Sequence, residues 1–286
     1  MKVGIIGAGL VGSAMALKLY RRQGYELKII ASRSVAKAEA LAARVGAVAG
    51  TSREVVKTCE LVLIATPDRV IEPLVSQLAA DCYEGQVLAH FSGSLAAEIM
   101  APVRLRGAQC LSLHPLQAFA SLETAVAALD GTHFTVEGDR TELGCQLVKD
   151  LGGIPHRLDP ERKVLYHAAA CFASNYLVVL AAVATDLLER SGFGAEDGLA
   201  ALLPLMRGTL ANLETVGLPQ ALTGPIARGE TAVVGAQAHN MPPEYLPLYR
   251  QLGSLAVALA AAKKTIGEAE KTKLLELLQS KAEGES

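Results

Sequence analysis

The chain has 286 residues, which at about 150 residues per domain predicts two domains, each large enough for a core of its own. Its composition, with 51% hydrophobic, 20% charged and 4% aromatic residues, is typical of globular α/β proteins and excludes disordered, collagen-like and disulfide-scaffold classes. The 27 basic and 29 acidic residues give a net charge of −2, and the basic residues form no long block. We therefore expect neither nucleic acid nor an anionic membrane as a partner.

The cysteines and the first residues indicate the compartment. Five cysteines are present and none belongs to a Cys-x-x-Cys pair, a pattern typical of reduced thiols. Met1 and Lys2 lead directly into an apolar run, which leaves no room for a signal peptide. We therefore expect a cytoplasmic protein.

One apolar stretch, residues 168–188, has the length of a membrane span. Polar residues interrupt it, and its many alanines are only weakly hydrophobic. We expect a buried helix here and no membrane association.

Up to about residue 158, short β-branched runs alternate with amphipathic stretches rich in alanine and leucine, as in successive βαβ units. The predicted strands are residues 2–6, 26–31, 60–65, 86–90, 109–113, 132–137 and 154–158. The predicted helices between them begin near Leu10, Ser34, Ser52, Asp68, Ser94 and Arg140. This pattern predicts an α/β fold, a Rossmann doubly wound and mostly parallel sheet over residues 1–158.

Strand signals end at Asp159. Asp159, Pro160 and Glu161 supply an N-cap, a proline in the first turn and an acid, and the helical pattern then continues to Ser191 and Gly192. Further helices are predicted at 196–216, 230–237, 242–261 and 264–281, followed by a polar tail over 281–286. Residues 159–286 are therefore predicted to form an all-α domain with a long central helix.

The strongest chemical signal is a glycine-rich turn between the first strand and the first helix. A Gly-x-Gly-x-x-Gly motif in this context predicts a dinucleotide site, in which phosphates meet the backbone amides and the positive end of the helix dipole. The residues of this predicted site are Gly7, Ala8, Gly9, Leu10, Val11 and Gly12.

The end of the second strand predicts which dinucleotide binds. An NAD site places an acidic residue there for the ribose hydroxyls, whereas this chain has Ser32, Arg33 and Ser34. Arg33 can make a charge-assisted contact to a 2′-phosphate, and the two hydroxyls can add hydrogen bonds. We therefore predict NADP; a capping role of Ser32 or Ser34 is compatible with that.

The next two strands end in polar residues at the same edge of the sheet, where open α/β sheets bind ligands. Ala65, Thr66 and Pro67 are predicted to line the ribose and nicotinamide, although the same residues also suit a plain helix start. His90 is a further cofactor candidate with a structural alternative. No His, Cys, Asp or Glu cluster has metal-ligand spacing, so we expect no metal.

Three more specific stretches are His-Pro-Leu-Gln-Ala-Phe at 114–119, Tyr-His-Ala-Ala-Ala at 166–170 with Ser-Asn-Tyr at 174–176, and Leu-Thr-Gly-Pro-Ile-Ala-Arg-Gly at 222–229. In these the chain resembles a family of Rossmann-like proteins with a C-terminal helical domain of unknown function. That family lies within the 6-phosphogluconate dehydrogenase-like superfamily, with ketopantoate reductases, pyrroline-5-carboxylate reductases and β-hydroxyacid dehydrogenases. The resemblance implies a nicotinamide-dependent oxidoreductase, and some members of the narrower family are alternative ketopantoate reductases.

The long helix departs from the superfamily pattern, in which β-hydroxyacid enzymes place an asparagine four residues after a lysine. Here His167 follows Lys163 at that spacing, and Asn175 comes later. At about 100° per residue, Lys163, His167, Cys171 and Ser174 share one arc of the helix, with Asn175 roughly 80° from His167. The helix is therefore predicted to present a polar stripe to the cleft.

Reducing a carbonyl or an imine needs a hydride and a proton. His167 is the natural proton donor because imidazole titrates near neutral pH. Lys163 can do the same or polarise the carbonyl, and Asn175 can hold the oxygen; each of the three also has a purely structural alternative. His114 at the ligand edge, Ser174 in the polar stripe and Arg228 in the 222–229 connection are the predicted substrate contacts.

These features together predict an NADPH-dependent reductase of a small carbonyl compound, first of all a 2-oxo acid of the ketopantoate kind. The alternatives are an imine reductase resembling pyrroline-5-carboxylate reductase and a non-catalytic NADP(H) sensor. A helix that is apolar all round must be enclosed on every side, so we expect a homodimer formed through the helical domain.

Overall fold

The computed structural model describes residues 1–279. The chain divides into two compact units, Met1–Tyr176 and the part that begins at Leu177. The first unit therefore includes residues 159–176, which the sequence assigns to the helical domain. The division at 158/159 stays a prediction.

The first unit is built on one sheet of eight strands in the order β3-β2-β1-β4-β5-β6-β7-β8. All neighbouring pairs are parallel except β6 and β7, which are antiparallel. The chain order reverses between β1 and β4, which is where an open α/β sheet forms its ligand crevice. The strands are β1 (Lys2–Ile6), β2 (Glu26–Ala31), β3 (Val48–Gly50), β4 (Leu61–Ile64), β5 (Val87–His90), β6 (Gln109–Pro115), β7 (His133–Gly138) and β8 (Ile154–Arg157).

Helices cover both faces of the sheet, as expected for a doubly wound fold. One face packs on a core with α1, α2, α6 and α7, and the other on a core with α3, α4 and α5. The helices of the first unit are α1 (Leu10–Tyr20), α2 (Val35–Val45), α3 (Ser52–Thr58), α4 (Asp68–Leu78), α5 (Ala101–Arg104), α6 (Leu122–Ala128), α7 (Thr141–Asp150) and α8 (Lys163–Ala173). The predicted fold class is confirmed.

One local prediction was wrong, and two elements were not predicted. The short edge strand β3 and the helix α6 were not predicted, and no helix begins at Ser94. Residues after Ser94 instead form a 3-10 helix over Ala97–Met100 that leads into α5. Ser94 does not cap a helix, because its hydroxyl donates to the Asp68 carboxylate of α4 and its amide donates to the Ser92 hydroxyl.

The predicted long helix is interrupted. Asp159 caps a 3-10 turn, its carboxylate accepting from the Glu161 amide at 3.1 Å, and α8 follows. At Ser174 the backbone leaves the helical region with φ −123° and ψ −71°, and α9 begins at Asn175. The angle predicted between His167 and Asn175 assumed one continuous helix and therefore does not apply.

The second unit is helical throughout its regular structure and has a small core made of Val234, Val257, Leu274 and Leu278. Its helices are α9 (Asn175–Arg190), α10 (Gly198–Val216), α11 (Thr231–Asn240), α12 (Leu246–Lys263) and α13 (Glu268–Gln279). The predicted helices near 196–216, 230–237, 242–261 and 264–281 are thus confirmed as elements. Residues 280 and 281 of the last one, and the polar tail, lie outside the described residues.

The expectation of a buried helix at 168–188 is wrong for the single chain. Within residues 1–279, α9 has no buried residue. By length and composition alone the segment Pro160–Arg190 would suffice to cross a membrane, with a mean hydropathy of 1.8 over its most apolar window and none of that window buried. The apolar surface of α9 is therefore only partly covered by the described residues.

Candidate active site

The glycine-rich turn has the geometry that its first and last glycines predict. Gly7 adopts φ +117°, and its amide donates to the carbonyl of Ala31 at 2.8 Å. A Cβ at Gly7 would collide with the backbone of Ala65, and one at Gly12 would collide with the carbonyl of Gly7. Both positions thus need glycine for the turn and for the approach of α1 to the strand.

The middle of the turn is open. A Cβ at Gly9 would meet none of the described atoms within 4 Å, and Gly9 precedes α1 without a side-chain cap. The first amides of a helix have no partner within the helix, so those of Leu10, Val11 and Gly12 can face a ligand. This arrangement fits the pyrophosphate of a dinucleotide, which needs donors and no side chain in its way.

The residues after β2 form the start of α2. The Ser34 hydroxyl accepts from the Lys37 amide at 3.4 Å and thus caps the helix, while the Ser32 hydroxyl accepts from the Ser34 amide at 3.4 Å. Arg33 is exposed. Beside this start, Lys37, Arg44 and Gly9 line a cavity of about 310 Å³. The surroundings of the predicted phosphate contacts are therefore cationic, and the capping role of Ser34 is confirmed.

The end of β4 supplies an unpaired hydroxyl. Thr66 Oγ1 is buried and has no hydrogen-bond partner among the described residues. Pro67 directly precedes α4, in agreement with the helix-start alternative. Asp68, the first residue of α4, accepts hydrogen bonds from the hydroxyls of Ser92 at 2.8 Å and Ser94 at 2.7 Å. The Thr66 hydroxyl fits a bound ligand because a buried polar atom ordinarily has a partner.

His90 ends β5 and is fully buried. Its Nδ1 accepts from the Ser92 amide at 3.2 Å, and its Nε2 lies 3.3 Å from the carbonyl of Ala96. Burial, with a smaller effect of the Lys163 ammonium, lowers the pKa of His90 to about 4. The ring is thus a neutral support of the 92–96 loop, as the structural alternative expects, and its contact with a cofactor stays a prediction.

Lys163, the first residue of α8, has only 1% of its side chain exposed. Its ammonium donates to the Ser112 hydroxyl at 2.6 Å and lies 3.4 Å from the Glu137 carboxylate, which also accepts from the Ala97 amide at 2.8 Å. Burial lowers the pKa of Lys163, although Glu137 opposes the shift. This lysine joins α8 to β6 and β7.

Two histidines meet in front of Gly93. His114, at the end of β6, and His167, one turn after Lys163, have ring centroids 5.9 Å apart in an edge-to-face arrangement. A Cβ at Gly93 would lie 2.7 Å from His114 Nε2 and 2.5 Å from His167 Nδ1. We call Gly93, His114 and His167 the Gly93 notch. The notch exists because residue 93 has no side chain.

The hydrogen bonds of the two rings differ. His114 Nδ1 lies 2.7 Å from the hydroxyl of Tyr166, which belongs to α8. His167 Nδ1 is buried and has no partner among the described residues. Burial lowers the pKa of His114 to about 4, with smaller contributions from Lys163 and His167. The notch therefore combines one anchored neutral imidazole with one whose buried inner nitrogen has no hydrogen-bond partner among the described residues.

The other predicted contacts are not part of this cluster. Ser174 and Asn175 are exposed at the break between α8 and α9. Arg228 belongs to the second unit, and its guanidinium binds Glu230 through two hydrogen bonds of 2.7 and 3.0 Å. Of the three catalytic candidates, the structure thus brings Lys163 and His167 to the strand ends and leaves Asn175 outside.

Sequence reasoning did not identify Tyr166, Glu137, Ser112 or Gly93. Tyr166 was available as a signal, because it directly precedes His167 in one of the family-like stretches. Ser112 and His114 are two residues apart and therefore lie on the same face of β6. The predicted strand ended at residue 113 and so did not include His114. Glu137 lies on the antiparallel neighbour of β6, a pairing that no local pattern indicated.

Comparison with known proteins gives two family matches and a set of similar folds. Residues 1–115 match a Rossmann-like domain, and residues 132–256 match a domain of unknown function, DUF2520. No curated protein matches the chain.

Three solved structures illustrate the shared fold. A protein of Thermotoga maritima is 26% identical with a TM-score of 0.73, covering 92% of this chain and 99% of its own. A protein of Bacteroides fragilis, provisionally named an NADP oxidoreductase, is 24% identical with a TM-score of 0.69, covering 90% and 98%. A pyrroline carboxylate reductase of Plasmodium falciparum with NADP bound is 13% identical with a TM-score of 0.55, covering 98% of both chains.

Proposed function

Since the chain carries a Rossmann-like domain followed by a DUF2520 domain, we propose that it is an NADPH-dependent reductase of a small carbonyl compound, first of all a 2-oxo acid of the ketopantoate kind. The open glycine turn and the fold shared with nicotinamide-dependent enzymes support an oxidoreductase in general. The choice of NADP over NAD rests on Arg33 and on the absence of an acid among residues 31–34.

The observation that carries the proposal is the Gly93 notch. It lies at the carboxyl ends of β5 and β6, in the same parallel sheet as β1 and β4, which bear the glycine turn and Thr66. Its inner nitrogen on His167 is buried and unpartnered among the described residues. A buried imidazole nitrogen without a partner beside a nucleotide-binding edge suits proton transfer to a reacting group.

The residues proposed to hold the cofactor are Gly7, Ala8, Gly9, Leu10, Val11 and Gly12 at the pyrophosphate, Ser32, Arg33 and Ser34 at the 2′-phosphate, and Ala65, Thr66 and Pro67 at the ribose and nicotinamide. When bound, NADPH supplies the hydride for the reduction. The chain supplies orientation, exclusion of water and the proton.

In this proposal His167 gives the proton to the substrate and His114 binds the substrate. Lys163 acts by placing α8, because its ammonium already binds Ser112 and Glu137. For an acid substrate Arg228 is the proposed carboxylate receptor; binding there requires it to leave Glu230, which now occupies its guanidinium. Asn175 and Ser174 remain candidate contacts at the helix break.

We also propose that the protein works in the cytoplasm as a homodimer formed through the helical domain. The support is the exposed apolar surface of α9, since a surface of this kind on one chain marks an interaction site.

The test is NADPH oxidation with a panel of 2-oxo acids and cyclic imines, using the wild-type chain, His167→Ala and the exposed control His239→Ala. We expect turnover of a 2-oxo acid, and a loss of about 10²- to 10⁴-fold for His167→Ala with unchanged NADPH affinity. Turnover of imines alone would make the protein an imine reductase. Tight NADPH binding without any turnover would make it a sensor.

A further inference from the structure

We propose that the Asp68 carboxylate binds the hydroxyls of the nicotinamide ribose, and that Ser92 and Ser94 are the positioning residues that hold this carboxylate. The proposal rests on the proposed function and deepens it, because it assigns an acid to the second ribose of the dinucleotide. In Rossmann sites an acidic side chain is the usual partner of ribose hydroxyls. Residues 31–34, at the end of β2, contain no acid, whereas Asp68 follows β4.

Asp68 lies at the edge of the sheet where the chain order reverses. It is the first residue of α4, shortly after β4, and β4 is the neighbour of β1, which leads into the glycine turn. A dinucleotide binds across the crevice at this edge. Burial lowers the pKa of His90 and His114, and the Asp68 carboxylate opposes both shifts. The carboxylate is thus also within electrostatic range of the ends of β5 and β6.

Two serine hydroxyls from the loop after β5 fix one oxygen of this carboxylate. Asp68 Oδ2 accepts from Ser92 Oγ at 2.8 Å and from Ser94 Oγ at 2.7 Å. The Ser92 oxygen is itself fixed, because it accepts from the amides of Ser94 at 3.2 Å and Leu95 at 3.0 Å. An exposed acid in the first turn of a helix needs no such support to interact with the helix dipole. The serines therefore give the carboxylate one orientation, which is what a binding group needs.

The other oxygen of the carboxylate is available to a ligand. Within residues 1–279, Asp68 Oδ1 accepts no hydrogen bond and the carboxylate has no cation as an ion-pair partner. Thr66 Oγ1, two residues earlier, is buried and also has no partner there. A carboxylate oxygen only accepts, whereas a threonine hydroxyl donates and accepts. Together they match two adjacent hydroxyls, each of which can donate and accept.

The negative charge selects among the parts of the cofactor. A carboxylate repels the pyrophosphate and the 2′-phosphate, so Asp68 suits an uncharged group with hydrogen-bond donors. The half of the molecule beyond the pyrophosphate offers the ribose hydroxyls and the nicotinamide carboxamide. The ribose has two adjacent hydroxyls and so fits both oxygens of the β4 end, and hydrogen bonds to an ionised acceptor are the stronger kind. The ribose is therefore the assigned partner.

Calorimetric binding to the full chain tests this contact without any turnover. The probes are NADP⁺, 2′-phospho-ADP-ribose, which lacks the nicotinamide, and adenosine 2′,5′-bisphosphate, which lacks the second ribose as well. Asp68→Ala should weaken binding of the first two by about 10- to 100-fold, the range for a hydrogen bond to a charged group, and leave the third within about 2-fold. Glu72→Ala, at an exposed acid one turn later in α4, is the matched control and should change none of the three.

Ser94→Ala tests the positioning role. It removes one of the two hydroxyls on Asp68 Oδ2, while Ser92 keeps its bond to the Leu95 amide. We expect binding of NADP⁺ and 2′-phospho-ADP-ribose to weaken by about 3- to 10-fold, binding of the bisphosphate to stay unchanged, and Ser94→Thr, which restores a hydroxyl, to recover most of the loss. A merely structural serine would lower the free energy of unfolding without separating the probes, and that result would overturn its positioning role.

The remaining outcomes separate this inference from the proposed function. Equal losses on all three probes in Asp68→Ala, an unchanged affinity, or a loss confined to NADP⁺, which would make the carboxamide the partner, would each overturn the ribose contact. Retained binding of the bisphosphate shows that a variant is folded. NADP⁺ binding without any turnover would contradict the reductase and leave the ribose contact standing. If the wild type binds neither these probes nor their forms without the 2′-phosphate, the proposed function and the ribose contact both fail.

Discussion

His90 and His114 follow neighbouring parallel strands and stay neutral because they are buried, not because a carboxylate holds them. His90 Nδ1 accepts a hydrogen bond from the Ser92 amide, and His114 Nδ1 lies 2.7 Å from the Tyr166 hydroxyl. A neutral imidazole with one nitrogen occupied has a defined donor on the other. In His90 that donor is Nε2, which lies 3.3 Å from the Ala96 carbonyl.

The buried histidines make stability depend on pH. Burial lowers the pKa of His90 to about 4 from an ordinary value of 6.5, so between these pH values the unfolded chain binds a proton that the folded chain does not. This contribution is complete above pH 6.5 and is lost as the pH falls toward 4. We expect the free energy of unfolding to decrease by about 1.4 kcal/mol per pH unit for each such histidine.

Urea unfolding at several pH values between 7.5 and 4.5 measures this effect. His90→Asn should reduce the change in the free energy of unfolding per pH unit by the contribution of one histidine. The exposed His239→Asn should keep the wild-type pH dependence. An unchanged slope in His90→Asn would show that another group dominates.

The proposed NADP preference is tested at the residue scale, at the end of β2. Replacing Arg33 with Ala and Ser32 with Asp removes the cation and adds a repelling carboxylate. We expect NADPH binding to weaken by roughly 1.5 to 3 kcal/mol, the scale of a hydrogen bond to a charged group, and NADH binding to improve relative to it. Fluorescence titration with both cofactors measures the ratio; Arg53→Ala, which lies in α3, serves as the control. A ratio equal to that of the wild type would remove the NADP preference from these residues.

At the scale of elements, α8 is placed by one buried ion pair. Lys163 joins the helix to β6 through Ser112 and to β7 through Glu137, and the residues one turn later, Tyr166 and His167, are thereby brought to the strand ends. Removing the lysine leaves the Glu137 carboxylate buried without its cation, which is more costly than losing the pair.

Lys163→Met is therefore expected to lower the free energy of unfolding by about 3 to 5 kcal/mol. The double variant with Glu137→Gln should recover much of this loss, because glutamine keeps an acceptor for the Ala97 amide without a charge. Lys149→Met, an exposed lysine of α7, is the matched control. Denaturant unfolding measures all three. A double variant as unstable as Lys163→Met would contradict the role of the ion pair.

The elements also show what the sequence can predict. Strong periodic signals gave the parallel strands, the glycine turn and the common face of Lys163 and His167, because these depend on neighbours a few residues apart. The break at Ser174, the short β3 and the pairing of β6 with β7 depend on packing. The Gly93 notch depends on packing most, since Gly93, His114 and His167 come from three separate segments and nothing local indicates that they meet.

At the scale of the whole molecule, the exposed apolar surface of α9 is the main feature that the chain does not explain by itself. Val178 is 69% exposed and Val179 51%, and among the described residues the core of the second unit has only four members. An apolar surface of this kind indicates a partner, and a second copy related by two-fold symmetry is the commonest one. Because the segment Pro160–Arg190 is also long and apolar enough for a membrane span by composition, the partner must be tested against a lipid alternative.

We expect sedimentation velocity without detergent to give a particle of twice the 29.9 kDa chain mass at micromolar concentration. Val178→Lys together with Val179→Lys should shift it to the monomer, because burying an unpaired charge in an apolar interface is strongly unfavourable. Leu105→Lys makes the same apolar-to-lysine change at a residue of the first unit that is 87% exposed, and it should leave the dimer intact. A wild-type monomer would contradict the dimer, and recovery of the chain only with vesicles or detergent would show that lipid covers α9 instead.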